Sequence, residues 1–385
     1  MTALGASREA ADYDLVVAGA GFAGLACARR AAERGLSVLV LERQSEPGER
    51  IHTTGILVKE AWEEWAAPAS LVRRIRRVRV YDPNHRFVEL ERDSYFFMAT
   101  DTAGLLRHIV SETRRSGAEI RFGSPYEGVA SAGPGARSAG PGARSAGSRG
   151  TRGSMPLTLV GSGAASGVTC CFLVGADGAR SKVAESFGLD RNRRLLKGVE
   201  WEYELRSADG DCLHCFVDPE CAPGYIGWVV PGVGVTQVGL ALHRDRRADL
   251  RRFSEKIDDL FGLSGRRVLE KRGGVIPIGG RLRNFHAERM LLVGDAAGMV
   301  SPLTAGGIHQ AYRFGKLAGD AIAEYLNGGP HPGPILRRAY PNHALKRAAR
   351  WGFDHLPVAR ALQAGLLSWK VSRHLAETVF FHRSR

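Results

Sequence analysis

Three glycines and one acid near the N-terminus have types and a spacing that could do chemistry. Gly19, Gly21 and Gly24 follow the G-x-G-x-x-G pattern, and Glu42 lies 18 residues beyond Gly24. The first glycine permits a tight turn, the second lets a pyrophosphate approach the backbone, and the third allows a helix to pack closely on a strand. A carboxylate at position 42 can accept hydrogen bonds from a ribose diol. This pattern indicates a dinucleotide-binding loop.

The residues around this loop predict the βαβ unit that such a site requires. Residues 15–18 are a short apolar run typical of a buried parallel strand, and residues 37–41 are a second one. Residues 25–34 between them are rich in helix formers and stop at Gly35. The free N–H groups at the start of this helix would face the phosphates. The alternative, a glycine-rich turn in another α/β unit, does not account for the acid at the end of the second strand.

Length, composition and charge limit the class of protein. With 385 residues, 44% of them hydrophobic, the chain can form two domains or one large domain with an insertion. No apolar run reaches the roughly 18 residues of a membrane span, and residues 1–11 lack the apolar core of a signal peptide, which predicts a cytoplasmic protein. The net charge of +14 could attract nucleic acid, anionic lipid or an acidic protein donor. We attribute most of it to solvated arginines and expect no nucleic-acid partner.

The six cysteines predict neither a disulfide framework nor a metal site. They are too few to cross-link a chain of this length, which favours a reducing compartment. Cys212 and Cys215 have the spacing of a metal or redox pair, but the residues around them look extended. Residues three apart in a strand point to opposite faces, so a joint site would need a bulge.

Residues 131–150 repeat Ser-Ala-Gly-Pro-Gly-Ala-Arg almost perfectly and predict a disordered loop. We expect this loop to extend a hairpin between residues 126–129 and 157–160. Residues 160–166 imitate a second phosphate loop, but they lack the last glycine and precede a strand, so we interpret them as a β-turn. The chain then has a single dinucleotide unit.

Hydrophobic periodicity gives the remaining elements. The predicted helices are residues 56–65, 102–116, 249–261 and 308–326, and the remainder of the chain beyond a break at 328–334. The predicted strands are residues 119–122, 168–174, 200–205, 212–217, 226–230, 235–242 and 290–293, with a hairpin at 78–81 and 86–91.

Two further motifs complete a resemblance to a known family. They are Gly-Ala-Asp-Gly-Ala-Arg-Ser at 175–181 and Leu-Val-Gly-Asp-Ala-Ala-Gly at 292–298. Together with the N-terminal loop, they resemble the para-hydroxybenzoate-hydroxylase-fold flavoproteins over roughly residues 12–330. Residues 224–231 and 301–308 look like the geranylgeranyl reductase family within that group. The resemblance implies FAD as the cofactor.

The resemblance also assigns residues to FAD. Asp295 would hold the ribityl chain, and Asp177 would support the cofactor loop. The turn at Gly306 and Gly307 would start a helix near Ile308, whose positive end would stabilise the anionic reduced flavin. The positions that match the cofactor-binding motifs are Gly19, Gly21, Phe22, Ala23, Gly24, Glu42, Arg43, Asp177, Gly294, Asp295, Gly306, Gly307 and Ile308.

The fold that the resemblance implies is α/β with three parts. A Rossmann-type FAD-binding domain would comprise residues 12–75, 101–187 and 271–329. A substrate domain with an antiparallel sheet would comprise residues 76–100 and 188–270. Residues 330–385 would form a C-terminal helical region.

The same resemblance gives three candidate catalytic residues, His52, Tyr225 and Trp228. Tyr225, Trp228 and Pro231 would form a wall of the substrate cavity over the isoalloxazine ring, although Trp228 could instead be an ordinary core aromatic. His52 stands where several reductases of the family place a cysteine, and Thr102 stands where the family usually has arginine. His52 could serve as a proton donor near the flavin or merely as a loop residue.

The implied function is that of an FAD-dependent oxidoreductase that reduces a C=C bond of an apolar molecule, with isoprenoids as one class of candidate substrate. NAD(P)H or a reduced carrier protein would supply the electrons. One alternative is a flavin monooxygenase of the same fold, and another is a dinucleotide-binding regulator without turnover. The basic, partly apolar C-terminal helices predict either a lid on the substrate domain or a peripheral contact with a membrane surface.

Overall fold

The computed structural model describes residues 11–65, 67–131, 157–161, 166–206 and 209–355, together with Glu377 and Phe380. Almost all of the repeat predicted as a loop, and most of the C-terminal helical region beyond residue 355, therefore lie outside the described residues. The strands are β1 (Tyr13–Ala18), β2 (Val38–Leu41), β3 (Ile56–Val58), β4 (Val72–Ile75), β5 (Arg77–Tyr81), β6 (Phe87–Glu91), β7 (Phe97–Thr100), β8 (Glu119–Arg121), β9 (Tyr126–Ser131), β10 (Leu157–Gly161), β11 (Thr169–Gly175), β12 (Leu195–Tyr203), β13 (Cys212–Phe216), β14 (Gly227–Pro231), β15 (Thr236–His243), β16 (Val268–Pro277), β17 (His286–Ala287) and β18 (Met290–Leu292). The helices are α1 (Phe22–Glu33), α2 (Lys59–Trp65), α3 (Thr102–Arg115), α4 (Lys182–Ser186), α5 (Leu250–Lys256), α6 (Asp258–Phe261), α7 (Ile308–Leu326), α8 (Pro332–Ala339) and α9 (Ala344–His355).

The first sheet carries the predicted dinucleotide unit. Its order is β17-β18-β11-β1-β2-β8, and β1 pairs in parallel with both β2 and β11. Leu15 to Ala18 of β1 and all of β2 are buried, because helices cover the sheet, and this explains their continuous apolar runs. Helix α7 packs on α1 through Gly315, where a Cβ would lie 2.4 Å from the Ala23 carbonyl oxygen.

The second sheet has the order β16-β12-β15-β14-β13-β5-β6. Its pairs are antiparallel except for β13 and β5, which run in parallel, so the predicted antiparallel sheet contains one parallel pair. The predicted hairpin of β5 and β6 is confirmed. Helices α5 and α6 cover one face of the sheet with Phe253 and Ile257, which are fully buried. The opposite face is left to line a cavity.

The prediction of one helix over residues 56–65 is wrong at its start. Ile56–Val58 is strand β3, which pairs with β7 in a three-stranded sheet of order β3-β7-β4, and the helix begins at Lys59. Strand β7 lies in the range assigned to the substrate domain, but it belongs to this small sheet. The helix predicted over residues 249–261 is two short helices, since α5 ends at Lys256 and α6 begins at Asp258, with Ile257 between them.

The C-terminal helices described here pack against both domains. Helix α8 contacts α7, and α9 reaches the second sheet through Arg350, which is 1% exposed. Across the described part of the chain, none of the helices combines the length and the apolar character needed to span a membrane.

Deleting residues 132–150 should leave the fold and its cofactor content intact. Strands β9 and β10 flank this segment and pair antiparallel, with Leu159 opposite Val129, so a shorter connection can still join them. Shortening a loop changes its closure entropy only slightly. We expect the thermal unfolding midpoint to stay within a few degrees of the parent's and the flavin-to-protein ratio to be unchanged. Loss of the cofactor from the shortened chain would show that this segment is not a dispensable loop.

Candidate active site

One cavity of about 1060 Å³ lies between the carboxyl ends of the parallel strands and the open face of the second sheet. It brings together most of the residues that the sequence singled out. The predicted residues that line it are Gly19, Gly21, Phe22, Ala23, Glu42, Arg43, His52, Asp177, Tyr225, Trp228, Asp295, Gly306, Gly307 and Ile308. Gly24 and Gly294 lie behind the lining, where they pack against Gly19 and Ala23.

The glycine loop between β1 and α1 has the geometry of a phosphate site. Gly19 has a φ of +108°, which favours glycine, and a Cβ on Gly24 would lie 1.9 Å from the Gly19 carbonyl oxygen. No atom lies within 4 Å of a Cβ built on Gly21, which is the N-cap of α1. The space beside Gly21 and the free N–H groups of α1 therefore fit a pyrophosphate.

Glu42 is fixed by the loop that it is expected to serve. One carboxylate oxygen accepts a hydrogen bond from the Ala20 N–H at 2.7 Å, and the other accepts from the Gln44 N–H at 3.0 Å. These contacts join the end of β2 to the glycine loop. Each carboxylate oxygen can accept a further hydrogen bond, so the group can still bind a ribose diol.

Asp177 supports the loop that follows β11. Its Oδ2 accepts hydrogen bonds from the Lys182 and Val183 N–H groups at 2.7 and 3.1 Å, while Ser181 caps α4 through the Ala184 N–H. Burial raises the pKa of Asp177, and its Oδ1 is buried without a hydrogen-bond partner among the described residues. The contacts agree with a supporting role for Asp177.

Asp295 and the start of α7 line the same cavity as the glycine loop. Burial raises the pKa of Asp295 to about 6. Its Oδ1 lies 3.4 Å from the position of a Cβ on Gly307, which is the N-cap of α7 and makes no side-chain cap. A buried carboxylate is well suited to accept hydrogen bonds from the hydroxyls of a ribityl chain. The uncapped first turn of α7 offers N–H groups and a partial positive charge to the flavin ring.

His52 lies on the loop between β2 and β3 and faces the same cavity. Its Nδ1 is 2.7 Å from the Gly273 carbonyl oxygen. A carbonyl oxygen only accepts, so Nδ1 carries a hydrogen and the ring orientation is fixed. The loop around His52 also packs against Gly274, where a Cβ would lie 3.1 Å from the His52 carbonyl oxygen. The role of His52 as a proton donor stays a prediction.

The cavity face of the second sheet is apolar at one end. Because side chains alternate in a strand, every second residue of β5, β6, β13 and β14 points to this face. Leu213, Cys215 and Val230 are buried there with Phe97 of the small sheet. Burial raises the pKa of Cys215, so it remains a thiol. The described residues contain no group of three or more His, Cys, Asp or Glu side chains that could hold a metal ion.

A network of buried charged groups, which the sequence analysis did not identify, lies at the other end of this face. Glu200 accepts a hydrogen bond from the Trp228 Nε1–H at 2.8 Å and lies 3.6 Å from Arg272. Arg272 also pairs with Glu202 and Glu270, each at 2.7 Å. Burial raises the pKa values of Glu200 and Glu202. The only signal in the sequence was a pair of alternating glutamates in an otherwise apolar strand.

Gly239→Ala should displace the indole of Trp228 from the cavity wall. A Cβ on Gly239 would lie 2.5 Å from two carbons of the indole, so the ring must move and its hydrogen bond to Glu200 must break. Because Trp228 lines the cavity, a displaced ring alters the surface that an apolar ligand of this cavity contacts. We expect such a ligand to bind about 10-fold more weakly, which corresponds to roughly 1.4 kcal/mol, while FAD is retained. The measurement is tryptophan fluorescence together with ligand titration.

Gly128→Ala is the matched control for this variant. Gly128 also lies in a strand, β9, but outside the cavity lining, and a Cβ there would meet only Ser186 at 3.9 Å, which is an ordinary contact. Gly128→Ala should therefore resemble the parent. Unchanged fluorescence and affinity in Gly239→Ala would contradict the assigned position of Trp228.

Comparisons with known proteins agree with this geometry and give the class of the chain. The family described as FAD dependent oxidoreductase matches residues 14–143, and the family described as FAD binding domain matches residues 151–350. The chain is an FAD-dependent oxidoreductase, and FAD is its cofactor, as predicted.

Relatives then define the family. Digeranylgeranylglycerophospholipid reductase 2 of Methanopyrus kandleri is 30% identical over 349 residues, which cover 85% of this chain and 81% of the relative. The protein of the same name from Methanothermobacter thermautotrophicus is 28% identical over 339 residues, covering 85% and 82% of the two chains. The chain belongs to the geranylgeranyl reductase family of FAD-dependent oxidoreductases.

Solved structures share the fold. A geranylgeranyl bacteriochlorophyll reductase-like protein from Thermoplasma acidophilum superposes with a TM-score of 0.76 at 19% identity, covering 95% of this chain and 98% of that one. The p-nitrophenol 4-monooxygenase of Pseudomonas putida superposes with a TM-score of 0.68 at 17% identity, covering 95% and 97%. The predicted α/β fold with a Rossmann-type FAD-binding domain is confirmed.

Proposed function

We propose that this chain reduces a C=C bond of an apolar, isoprenoid-containing molecule. The observation that carries the proposal is the shape of the cavity, in which the predicted FAD site continues into an apolar wall of Leu213, Cys215, Val88 and Phe97. Burial of a long apolar chain against such a wall is favourable by roughly 25 cal/mol per Å². The names of the relatives from methanogenic archaea support a polyprenyl substrate.

Saturation of a C=C bond requires a hydride at one carbon and a proton at the other. Reduced FAD, when bound, supplies the hydride. His52 is our candidate for the proton, because the Gly273 carbonyl orients its ring through Nδ1 and a protonated imidazole would carry its second hydrogen on Nε2. Trp228 and Tyr225 lie in the cavity lining and would orient the substrate. The electrons would come from NAD(P)H or a reduced carrier protein.

The contrasting candidate is a monooxygenase, because p-nitrophenol 4-monooxygenase has the same fold over nearly the whole chain. The reaction with oxygen separates the two. The enzyme, reduced without oxygen, should be reoxidised by a geranylgeranyl-bearing lipid alone. If reoxidation and product formation require oxygen, the reductase proposal is wrong. If the reduced enzyme turns over under neither condition, a regulator without turnover is the better description.

We also propose a peripheral contact between α9 and an anionic membrane on the cytoplasmic side. The inner face of α9 lines the cavity through Arg350 and Phe353, as a lid would. Its outer face exposes Leu345 and Trp351, which are 83% and 57% exposed, and Arg347 is exposed on the same helix. An apolar substrate must be collected from lipid, and basic residues beside exposed apolar ones suit an anionic membrane surface.

Replacing Leu345 and Trp351 together with aspartate should abolish flotation with anionic liposomes at low salt. The change removes two apolar side chains and adds negative charge, so both contributions to membrane affinity are lost. Leu260→Asp is the matched control, because Leu260 is 46% exposed on α6, away from this face. If the parent ignores anionic liposomes, or the double variant floats as the parent does, the membrane contact is wrong.

A further inference from the structure

Helix α9 places one buried arginine in the wall of the substrate cavity. Arg350 is 1% exposed, although its neighbours Ala349 and Trp351 are exposed. Its guanidinium carbon lies 5.8 Å from the centre of the Tyr225 ring, and its Nη2 donates hydrogen bonds to the Gly224 carbonyl oxygen and to Asp354. Both Arg350 and Tyr225 line the cavity.

Arg350 keeps one buried donor without a partner among the described residues, because its Nε makes no hydrogen bond there. Leaving a buried donor unpaired costs about 1–3 kcal/mol. The half-buried Tyr225 lines the same cavity, and burial raises the pKa of its hydroxyl, which therefore holds its proton at neutral pH. A buried, unpaired guanidinium N–H beside a protonated tyrosine hydroxyl is the pattern expected where a ligand oxygen binds.

The charge at this end of the cavity is positive. The Asp354 carboxylate pairs with Arg350 and also with Arg194, whose Nη2 lies 2.8 Å from it. His243 Nε2 lies 3.5 Å from the same carboxylate. Two guanidiniums therefore face one carboxylate. The network beside Trp228 has the opposite sign, because three glutamates surround Arg272 there. An anionic group is therefore attracted to Arg350 and repelled from Glu200.

We propose that Arg350 and Tyr225 bind the phosphoryl end of an amphiphilic substrate, whose apolar chain lies against the wall formed by Leu213, Cys215 and Val88. This inference rests on the proposed function and names the end of the substrate that α9 recognises. A phosphate oxygen accepts from the Tyr225 hydroxyl and from Arg350, which is a charge-assisted contact. The phosphate can belong to a soluble prenyl phosphate or to the head group of a prenyl lipid.

Ligand binding to the oxidised holoenzyme tests this site without requiring turnover. The probes are geranylgeranyl monophosphate and geranylgeraniol, followed through the flavin absorbance. A charge-assisted hydrogen bond changes a dissociation constant by about 10- to 100-fold. We therefore expect the phosphate to bind at least about 10-fold more tightly than the alcohol. A second titration, in neutral detergent, compares a phosphatidate bearing two geranylgeranyl chains with the matching glycerol diether. Whichever phosphate has the lower dissociation constant, the prenyl monophosphate or the phosphatidate, identifies the kind of molecule that carries the phosphate.

Variants then assign the preference to these residues. Arg350→Gln should remove the preference for phosphate, and Arg350→Lys should restore part of it. Arg338→Gln is the matched control, because Arg338 is exposed on the neighbouring helix α8 and lies outside the cavity lining. Tyr225→Phe removes one oxygen and preserves the fold, so it tests the site even if Arg350→Gln is unstable. It should weaken phosphate binding several-fold and leave alcohol binding unchanged.

Two results would overturn the inference, and they differ in whether the proposed function also fails. If the parent and Tyr225→Phe bind phosphate and alcohol equally, the recognition site is wrong and the proposed function stands. If neither prenyl compound perturbs the flavin, the proposed function fails and the inference falls with it.

Discussion

A chain carrying Gly21→Val should fold normally and purify without FAD. Gly21 has φ −82° and ψ −178°, an extended conformation that valine adopts readily, and no protein atom lies within 4 Å of its Cβ position. The new side chain therefore causes no clash within the protein. It occupies the space where the pyrophosphate must approach the N-terminus of α1. We expect FAD affinity to fall by at least about 100-fold, since the phosphate contacts are lost together.

The measurement is the flavin-to-protein ratio together with thermal unfolding. The midpoint of the variant should match that of the FAD-free parent, because only the stabilisation by ligand binding is lost. Gly128→Val in β9 is the matched control, since a Cβ there would meet only Ser186 at 3.9 Å and the residue lies outside the cavity lining. Normal FAD content in Gly21→Val would show that the pyrophosphate does not bind at this loop.

Replacing Asp295 with alanine should lower FAD affinity by about 10- to 100-fold, the loss expected for hydrogen bonds to a buried carboxylate.

The FAD affinity of the parent should also depend on pH. Burial raises the pKa of Asp295 in the FAD-free protein from 3.8 to about 6. Hydroxyl donors of FAD stabilise the charged form, so binding lowers this pKa and releases a proton. FAD affinity is therefore greatest above about pH 6 and falls as the pH drops through that value.

The contribution of Asp295 to the stability of the FAD-free protein depends on pH in the opposite direction. A carboxyl whose pKa is raised in the folded state stabilises the FAD-free protein below its ordinary pKa of 3.8, and this contribution is lost as the pH rises through about 6. Asp295→Asn should remove both effects, since the amide does not titrate. Equilibrium dialysis of FAD between about pH 5 and pH 8 measures the first effect, and thermal unfolding of the FAD-free protein measures the second. A pH dependence of FAD affinity that persists unchanged in Asp295→Asn would assign it to another group.

Local patterns were sufficient to predict FAD as the cofactor and the fold of the elements that line the cavity on that side. The glycine loop, the motif around Asp295 and helix α7 are each encoded by residues close together in the chain, and helix α7 runs over the predicted residues 308–326. Strand β3 was missed because three residues carry little periodicity. Its strand character depends on pairing with β7, about 40 residues away, and a local reading of the sequence does not contain that partner.

The polar groups of the substrate side could not be predicted for a similar reason. The pairing of Glu200 with Arg272 follows from the register of β12 and β16, and Trp228 reaches Glu200 across β15. In the sequence, Arg350 is one of several basic residues of the C-terminal helices, and only the docking of α9 buries it. The candidates Tyr225, Trp228 and His52 were found through the resemblance, and their contacts with Arg350, Glu200 and Gly273 add what sequence reasoning lacked.

The most direct test of the account is the product of a single anaerobic turnover. The purified enzyme is reduced without oxygen, mixed with a geranylgeranyl-bearing lipid, and the lipid is analysed by mass spectrometry while the flavin spectrum is followed. The account predicts that the flavin reoxidises as the lipid gains a pair of hydrogen atoms at each saturated C=C bond. Recovery of unchanged lipid beside flavin that stays reduced, followed by addition of an oxygen atom once air is admitted, would contradict it.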